Sequence, residues 1–105
     1  MAGGDWRKAP AYLEWVRAHP CIACLPAHRD AEPHHFIGEF GVGGMGLKAP
    51  DLLSMPLCRA HHDAVHAAED GWRDRQREWV LRTLIEAIAL GIIVADNDGS
   101  LSPWT

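Results

Sequence analysis

The sequence predicts a small α+β domain whose central part is a short strand followed directly by a short helix. Residues 52–57 are mostly apolar, as in a buried strand, and an alanine-rich segment of helical character follows at residues 59–68. Cysteines and histidines are concentrated in and around these segments, and several recur three or four positions apart. Such spacing indicates side chains that act together rather than singly.

We expect residues 1–105 to form one domain, because a chain this short has no room for two cores. Its 48% of apolar residues is typical of a globular protein. No apolar run approaches twenty residues and no leader pattern opens the chain, so we expect neither a membrane span nor a signal peptide. Three cysteines, an odd number, argue against a disulfide framework and favour a reducing compartment, which we take to be the cytoplasm.

The net charge of −4 weighs against an avid, non-specific binder of nucleic acid, because such proteins usually carry a basic face. Two bound divalent ions would offset part of this charge at the position where a phosphate would sit. The composition therefore makes a nucleic-acid function less expected without excluding it.

The first predicted element is a short helix at residues 10–19. Pro10 suits its first turn, and Tyr12 and Val16 recur at helical spacing. A strand is predicted within residues 31–40, where His34 and His35 would face opposite sides and so have different roles. A glycine-rich loop follows at residues 38–46 and reads as a hairpin loop.

The predicted central helix begins after Cys58. His62 and His66 are four residues apart, which places them on one face of a helix, one turn from each other. His61 lies about 100° from His62 around the helix axis. One helix can therefore present His61 to one site and the other two histidines to a second site.

The C-terminal third predicts a scaffold helix at about residues 70–91. Asp70 suits its N-cap and Gly91 its C-terminal end. Residues 96–100 read as a turn between two short strands, since the spacing of a calcium loop is incomplete. An inward-facing stripe on this helix is predicted for Trp72, Trp79, Leu84 and Ile88.

The first predicted metal site joins two ligand pairs that are far apart in sequence. Two C-x-x-[C/H] knuckles give three thiolates and one imidazole, a closed tetrahedral set suited to structural Zn²⁺. His62 is an alternative fourth ligand, but the knuckle spacing favours His61. The predicted ligands are Cys21, Cys24, Cys58 and His61.

The second predicted metal site is built on the i, i+4 pair His62 and His66. It needs only one further ligand to form an open site, and either histidine of the upstream pair could supply it. The set we predict is His34, His62 and His66.

Taken together, these motifs resemble the HNH endonuclease superfamily, whose fold is the ββα-metal core. The C-x-x-C pair, the His-His-Phe strand and the Leu-Cys-x-x-His-His-x-x-x-His helix match in order and spacing over residues 20–66. The tract from His34 to His62 is closest to the phage recombination-enhancement nuclease (Ref) group. The resemblance implies a small ββα-metal core with zinc knuckles, flanked by a short N-terminal helix and a C-terminal helix.

The resemblance further implies a metal-dependent DNA endonuclease. His35 would be the general base, and His34, His62 and His66 would bind a catalytic Mg²⁺ or Mn²⁺, or else Zn²⁺. Leu53 occupies the usual position of the HNH asparagine. Asp51, two residues earlier, either replaces that asparagine in orienting the base or is a polar residue at the start of a strand.

Partners follow from the same resemblance. We expect DNA in single-stranded, duplex or branched form, and a recombinase filament in phage recombination or repair. Candidate DNA contacts are Lys48, Arg59, Arg73 and Arg77, although a solvated surface explains each of them too. The alternative is a catalytically inactive, zinc-stapled module that binds nucleic acid or protein. The four histidines favour the enzyme, whereas the acidic charge and the absent asparagine favour the module.

Overall fold

A computed structural model of the protein describes residues 7–38, 48–95 and 101–103. It is a small α+β fold, as the sequence predicts. The predicted glycine-rich loop beyond Gly38 and the turn at residues 96–100 lie outside the described residues. In chain order the elements are α1 (Pro10–Arg17), β1 (Glu32–His35), β2 (Ser54–Leu57), α2 (Arg59–His66), a 3₁₀ helix (Glu69–Arg75), α3 (Gln76–Ala89), β3 (Ile93–Ala95) and β4 (Leu101–Pro103).

Strands β1 and β2 form an antiparallel pair in which His34 is opposite Met55 and His35 is opposite Ser54. Because side chains alternate along a strand, the two histidines face opposite sides, as predicted. His34 is 1% exposed and points into the protein, while His35 retains partial contact with solvent. The register of this pair therefore decides which histidine is buried.

Helix α2 follows β2 after Cys58 and packs on the sheet through the buried side chain of Val65. It ends where Ala68 adopts a left-handed conformation, with φ of 56°. Arg73 then folds back, and its guanidinium donates hydrogen bonds to the carbonyl oxygens of Val65 (3.2 Å) and His66 (2.8 Å). The carbonyl groups of a last helical turn have no partner within the helix, and these bonds help to satisfy them, together with the N–H of Ala68 that donates to Val65 (3.1 Å).

Helix α3 connects the two buried clusters of the protein. Trp79 packs in the cluster beneath the sheet and α2, together with Phe36, Met55 and Leu57. Ala87 belongs to the second cluster, beneath α1. Leu84 contacts both clusters, so α3 holds α1 and the β1–β2 pair in a common scaffold.

The start and the orientation of this helix differ from our prediction. Asp70 does not cap it, because Asp70 and Gly71 both have positive φ and interrupt the 3₁₀ segment, and α3 itself begins at Gln76. Ile88 is 54% exposed, so its assignment to the inward stripe was wrong. Each residue turns the helix by about 100°, and the stripe through Trp79 and Ala87 leaves Ile88 on the opposite face.

The other predictions that fall on described residues are confirmed. Helix α1 begins at Pro10 as expected. Helix α3 ends at Ala89, close to the predicted stop at Gly91, whose φ is 75°. The N–H groups of Gly91 and Ile92 donate hydrogen bonds to the carbonyl oxygens of Ile88 and Ala87. Strands β3 and β4 pair antiparallel on either side of the predicted turn. Within the described part of the chain, no helix is both long and apolar enough to cross a membrane.

Candidate metal and catalytic site

The two knuckles predicted from the sequence meet in the structure. The Nδ1 of His61 lies 3.7 Å from the sulfur of Cys21, 3.4 Å from that of Cys24 and 3.3 Å from that of Cys58. The sulfurs of Cys24 and Cys58 are 3.8 Å apart. Sulfur and nitrogen ligands at tetrahedral corners around zinc stand roughly 3.6–3.8 Å from one another. The cluster is therefore compatible with structural zinc.

The fold brings the knuckles together through β2. The N–H of Ile22, inside the first knuckle, donates to the carbonyl oxygen of Pro56 in β2 (2.9 Å). Cys58 directly follows that strand, and His61 lies in the first turn of α2. The His61 ring packs edge-on against Trp72, with 4.8 Å between ring centroids. The ligand positions are thus determined by packing as well as by local spacing.

The electrostatics of the three thiols favour a bound cation. Burial and the hydrogen bonds and charges of the other two cysteines raise the pKa of Cys24 to about 12. Burial also opposes ionisation of Cys58, but hydrogen bonds from His61 and from the other cysteines outweigh it and lower the pKa of Cys58 to about 7. Ionisation of the first thiol is therefore easy, and ionisation of a second thiol beside it is unfavourable. A divalent ion offsets this unfavourable ionisation, because it binds the thiolates directly.

The predicted second set of ligands also comes together. His34 of β1 and His62 of α2 face each other with their Nδ1 atoms 3.4 Å apart, the separation expected for two nitrogens about 2.1 Å from one tetrahedral ion. One nitrogen each of His34, His62 and His66 lies within 4.8 Å of the others. Burial decreases from His34 to the exposed His66, so the cluster is open on its solvent side.

Burial favours the neutral form of His34 and His62. It is the largest cause that lowers the pKa of His34 to about 4, against an opposing hydrogen bond from Gln76. Burial, followed by the charge of His66, also lowers the pKa of His62. Because metal ions bind the neutral imidazole, both side chains are in the ligating form at neutral pH.

His35 faces the other side of β1 and meets Asp51. Its Nε2 lies 2.8 Å from Oδ1 of Asp51, and Oδ2 of the same carboxylate accepts the N–H of Ala9 (2.7 Å). Burial acts to raise the pKa of Asp51, but the bonds from Ala9 and His35 and the nearby positive charges outweigh it and lower this pKa. Asp51 lies in the turn before β2, not on a regular strand, yet its side chain reaches the histidine.

The predicted DNA contacts have different environments. Arg59 is exposed and pairs with Glu32 of β1, with its Nη2 2.8 Å from Oε1. Lys48 and Arg77 are exposed. Arg73 donates a hydrogen bond to the His66 carbonyl oxygen at the end of α2. Glu32, at first sight a solvated acid, lies with its Oε1 3.3 Å from Nδ1 of His62.

Sequence reasoning missed one residue of this site, Gln76. Its side chain is fully buried, and its Oε1 lies 3.2 Å from Nε2 of His34. The available signal was a polar residue in phase with the apolar stripe, three and four positions before Trp79 and Val80. Only the fold shows that the histidine it contacts is His34.

The chain was also compared with known proteins. The family described as "Protein of unknown function (DUF968)" matches residues 5–91. The chain belongs to the DUF968 family. It is 42% identical over 86 residues to the uncharacterized protein YdfU of Escherichia coli strain K12, an alignment that covers 78% of this chain. The chain spans about a quarter of that relative, 24% of its length. No solved structure matches the chain significantly.

The matched range of the DUF968 family includes both clusters, the His35–Asp51 pair and Gln76. It ends at Gly91, two residues after α3. The part of the chain that resembles the family is therefore the part that builds and supports the candidate site.

Proposed function

We propose that this domain is an HNH-type, metal-dependent DNA endonuclease that hydrolyses phosphodiester bonds with one divalent ion and a histidine base. The observation that carries the proposal is the pair of adjacent histidines on β1. His34 joins a three-histidine cluster, while His35 meets a carboxylate 2.8 Å away. Metal ligand and oriented base thus lie next to each other on one strand.

The arrangement of elements supports the HNH assignment. Two antiparallel strands are followed by a helix. Strand β1 carries His34 and His35, helix α2 carries the other histidines of both clusters, and β2 leads directly into Cys58. Residues 20–66 contain this unit and both candidate metal clusters. The structural zinc would hold the knuckles, and the open cluster would take Mg²⁺, Mn²⁺ or Zn²⁺.

The His35–Asp51 pair suits general-base catalysis. A carboxylate with a lowered pKa accepts hydrogen bonds, so Nε2 of His35 carries the hydrogen and Nδ1 is left with its lone pair. Nδ1 can then take a proton from the attacking water, and Asp51 stabilises the imidazolium that forms. An ion held by His34, His62 and His66 would polarise the scissile phosphate and stabilise charge on the leaving 3′-oxygen.

Arg59 and Lys48 are the side chains we assign to phosphate contacts. Both are exposed, and Arg59 is held beside the histidine cluster through Glu32, which itself lies 3.3 Å from His62. Single-stranded, duplex or branched DNA is the substrate class. By the resemblance to the Ref group, we place the activity in phage recombination or repair, where a recombinase filament would present the DNA.

The second candidate, a catalytically inactive zinc-stapled binding module, is favoured by the net charge of −4. Such a module needs only the closed Cys₃His set. It has no use for an open three-histidine cluster beside an oriented histidine, which is why we place the enzyme first.

The test is nicking of supercoiled plasmid and of single-stranded and branched DNA by zinc-loaded protein with added Mg²⁺ or Mn²⁺. Wild type is compared with His35→Ala and with His28→Ala, which removes an exposed histidine outside both clusters. We expect ion-dependent cleavage that His35→Ala lowers by about 10²–10⁴-fold and His28→Ala leaves unchanged. Absence of cleavage by folded wild type on every substrate would overturn the enzyme in favour of the binding module.

A further inference from the structure

Gln76 is a fully buried amide whose oxygen and nitrogen both have partners. Its Oε1 accepts the N–H of Ile37 at 3.0 Å and lies 3.2 Å from Nε2 of His34. Its Nε2 donates to the carbonyl oxygens of Ile37 at 2.9 Å and of Arg73 at 3.0 Å. The first residue of α3 is thus bonded to the residue that lies two positions beyond β1.

These partners determine which way the amide points. The N–H of Ile37 needs an acceptor, and the carbonyl oxygens of Ile37 and Arg73 need a donor. Turning the amide round would set oxygen against two carbonyls and NH₂ against an N–H. The oxygen of Gln76 therefore faces His34, and it can only accept a hydrogen bond.

The tautomer of His34 follows from that orientation. An acceptor at Nε2 requires the hydrogen on Nε2, which leaves the lone pair on Nδ1. Nδ1 is the atom that faces His62, 3.4 Å from its Nδ1. The hydrogen bond thus turns the ligating atom of His34 towards the other histidines of the cluster.

We propose that Gln76 is a positioning residue for a metal ion at the three-histidine cluster, one that holds His34 in the Nε2–H tautomer. This inference rests on the metal site within the proposed function, and it extends that function to α3. Without Gln76, the buried His34 would have to find its ligating tautomer and ring orientation on its own. Removing such an outer hydrogen-bond partner typically weakens metal binding by about 10–100-fold.

The test uses the full chain with zinc in the thiolate site and follows two readouts. Nitrogen-15 NMR of the imidazoles reports the His34 tautomer, and calorimetric titration with Co²⁺ or Mn²⁺ reports the affinity of the second site. Gln76→Met removes the acceptor at similar length. Gln76→Glu keeps an oxygen for His34 and Ile37 but loses the N–H donors to the Ile37 and Arg73 carbonyl oxygens, so it should lower stability while it keeps the acceptor. Thr83→Val is the matched control, since Thr83 is a buried polar residue of α3 that bonds to the Trp79 carbonyl.

In wild type we expect the Nε2–H tautomer of His34 and binding of one further ion. Gln76→Met should lose the single tautomer and weaken that binding by about 10–100-fold, while Gln76→Glu should retain the tautomer and most of the affinity. Thr83→Val should change neither readout. If Gln76 only stabilised the fold, its replacement would lower stability without changing the tautomer of His34. The NMR signal therefore distinguishes a positioning role from a purely structural one.

Two results would overturn the inference. One is an Nδ1–H tautomer of His34 in wild type, which needs no variant to detect and holds even if Gln76→Met fails to fold. The other is unaltered ion affinity in folded Gln76→Met. Either result would leave the endonuclease proposal standing. A wild type that binds no second ion would instead contradict both the Gln76 inference and the one-metal mechanism of the proposed endonuclease.

Discussion

His35 and Asp51 are joined by a bond of 2.8 Å between Nε2 and Oδ1, although they come from a strand and from a separate turn. The second oxygen of Asp51 accepts the N–H of Ala9, which immediately precedes α1. The carboxylate is therefore held through one oxygen while its other oxygen meets the imidazole. Such anchoring fixes the ring of His35 at little entropic cost, because the partner does not have to be ordered when substrate binds.

Replacing Asp51 tests this relationship. Asp51→Asn can still accept a hydrogen bond but carries no charge to stabilise an imidazolium, so we expect cleavage to fall by about 10–100-fold. Asp51→Ala should cost more, because it also leaves the Ala9 N–H without its acceptor. Initial nicking rates of both variants, with exposed Asp30→Asn as control, provide the measurement. Wild-type rates in folded Asp51→Asn would contradict the role.

Removal of zinc from the thiolate site should unfold the centre of the protein. The cluster joins the first knuckle, the end of β2 and α2, and small domains often need a metal ion for part of their stability. We expect Cys58→Ser, or a strong chelator, to abolish the cooperative thermal transition followed by circular dichroism. His66→Ala removes an exposed ligand of the other cluster and should leave the zinc content of this site unchanged. A chelated protein with an unaltered transition would show that zinc is not structural.

The buried His34 predicts a pH dependence of stability when the second ion is absent. Its pKa is about 4 in the folded protein, below the ordinary value of 6.5, so the unfolded chain binds more protons between these values. The free energy of unfolding should therefore fall as the pH is lowered from 6.5 towards 4, by at most about 1.4 kcal/mol per pH unit from this group.

Denaturant unfolding between pH 5 and pH 7 measures that slope. His34→Gln replaces this imidazole by a side chain that does not titrate, so the variant should show a shallower decline than wild type. Equal slopes for the two proteins would mean that folding does not lower the pKa of His34.

Two helix ends offer a matched test of backbone strain. Helices α2 and α3 both end in a left-handed residue, which is Ala68 with φ of 56° after α2 and Gly91 with φ of 75° after α3. A Cβ at position 91 would meet nothing within 4 Å, so the expected effect of Gly91→Ala is only the strain of a non-glycine residue at positive φ. We expect Ala68→Gly to raise, and Gly91→Ala to lower, the free energy of unfolding by about 1 kcal/mol each. Denaturant titration of both variants checks the opposite signs.

Local spacing accounts for most of what could be foreseen. Cys21 and Cys24 approach each other because a tight turn separates them, and His62 approaches His66 because the helix repeats after 3.6 residues. The alternation of side chains along β1 likewise places His34 and His35 on opposite faces. These relationships depend only on neighbours in sequence, and the structure has them as predicted.

Errors and omissions occur where distant segments pack together. Ile88 is exposed because the orientation of α3 is set by Trp79 and Ala87 against two separate clusters, a choice that helical periodicity leaves open. The start of α3 depends on the left-handed conformations of Asp70 and Gly71, and a favourable N-cap residue alone does not reveal them.

The sequence by itself determined the α+β class, the order of most elements and the short-spaced cysteine and histidine pairs of the two clusters, because each follows from periodicity or short spacing. Tertiary structure alone decided that Asp51 supports His35 and that Gln76, 42 residues from His34, faces its Nε2. Those contacts depend on how the turn before β2 and the first residue of α3 lie against β1. No local pattern encodes them, since they arise only when the whole core packs.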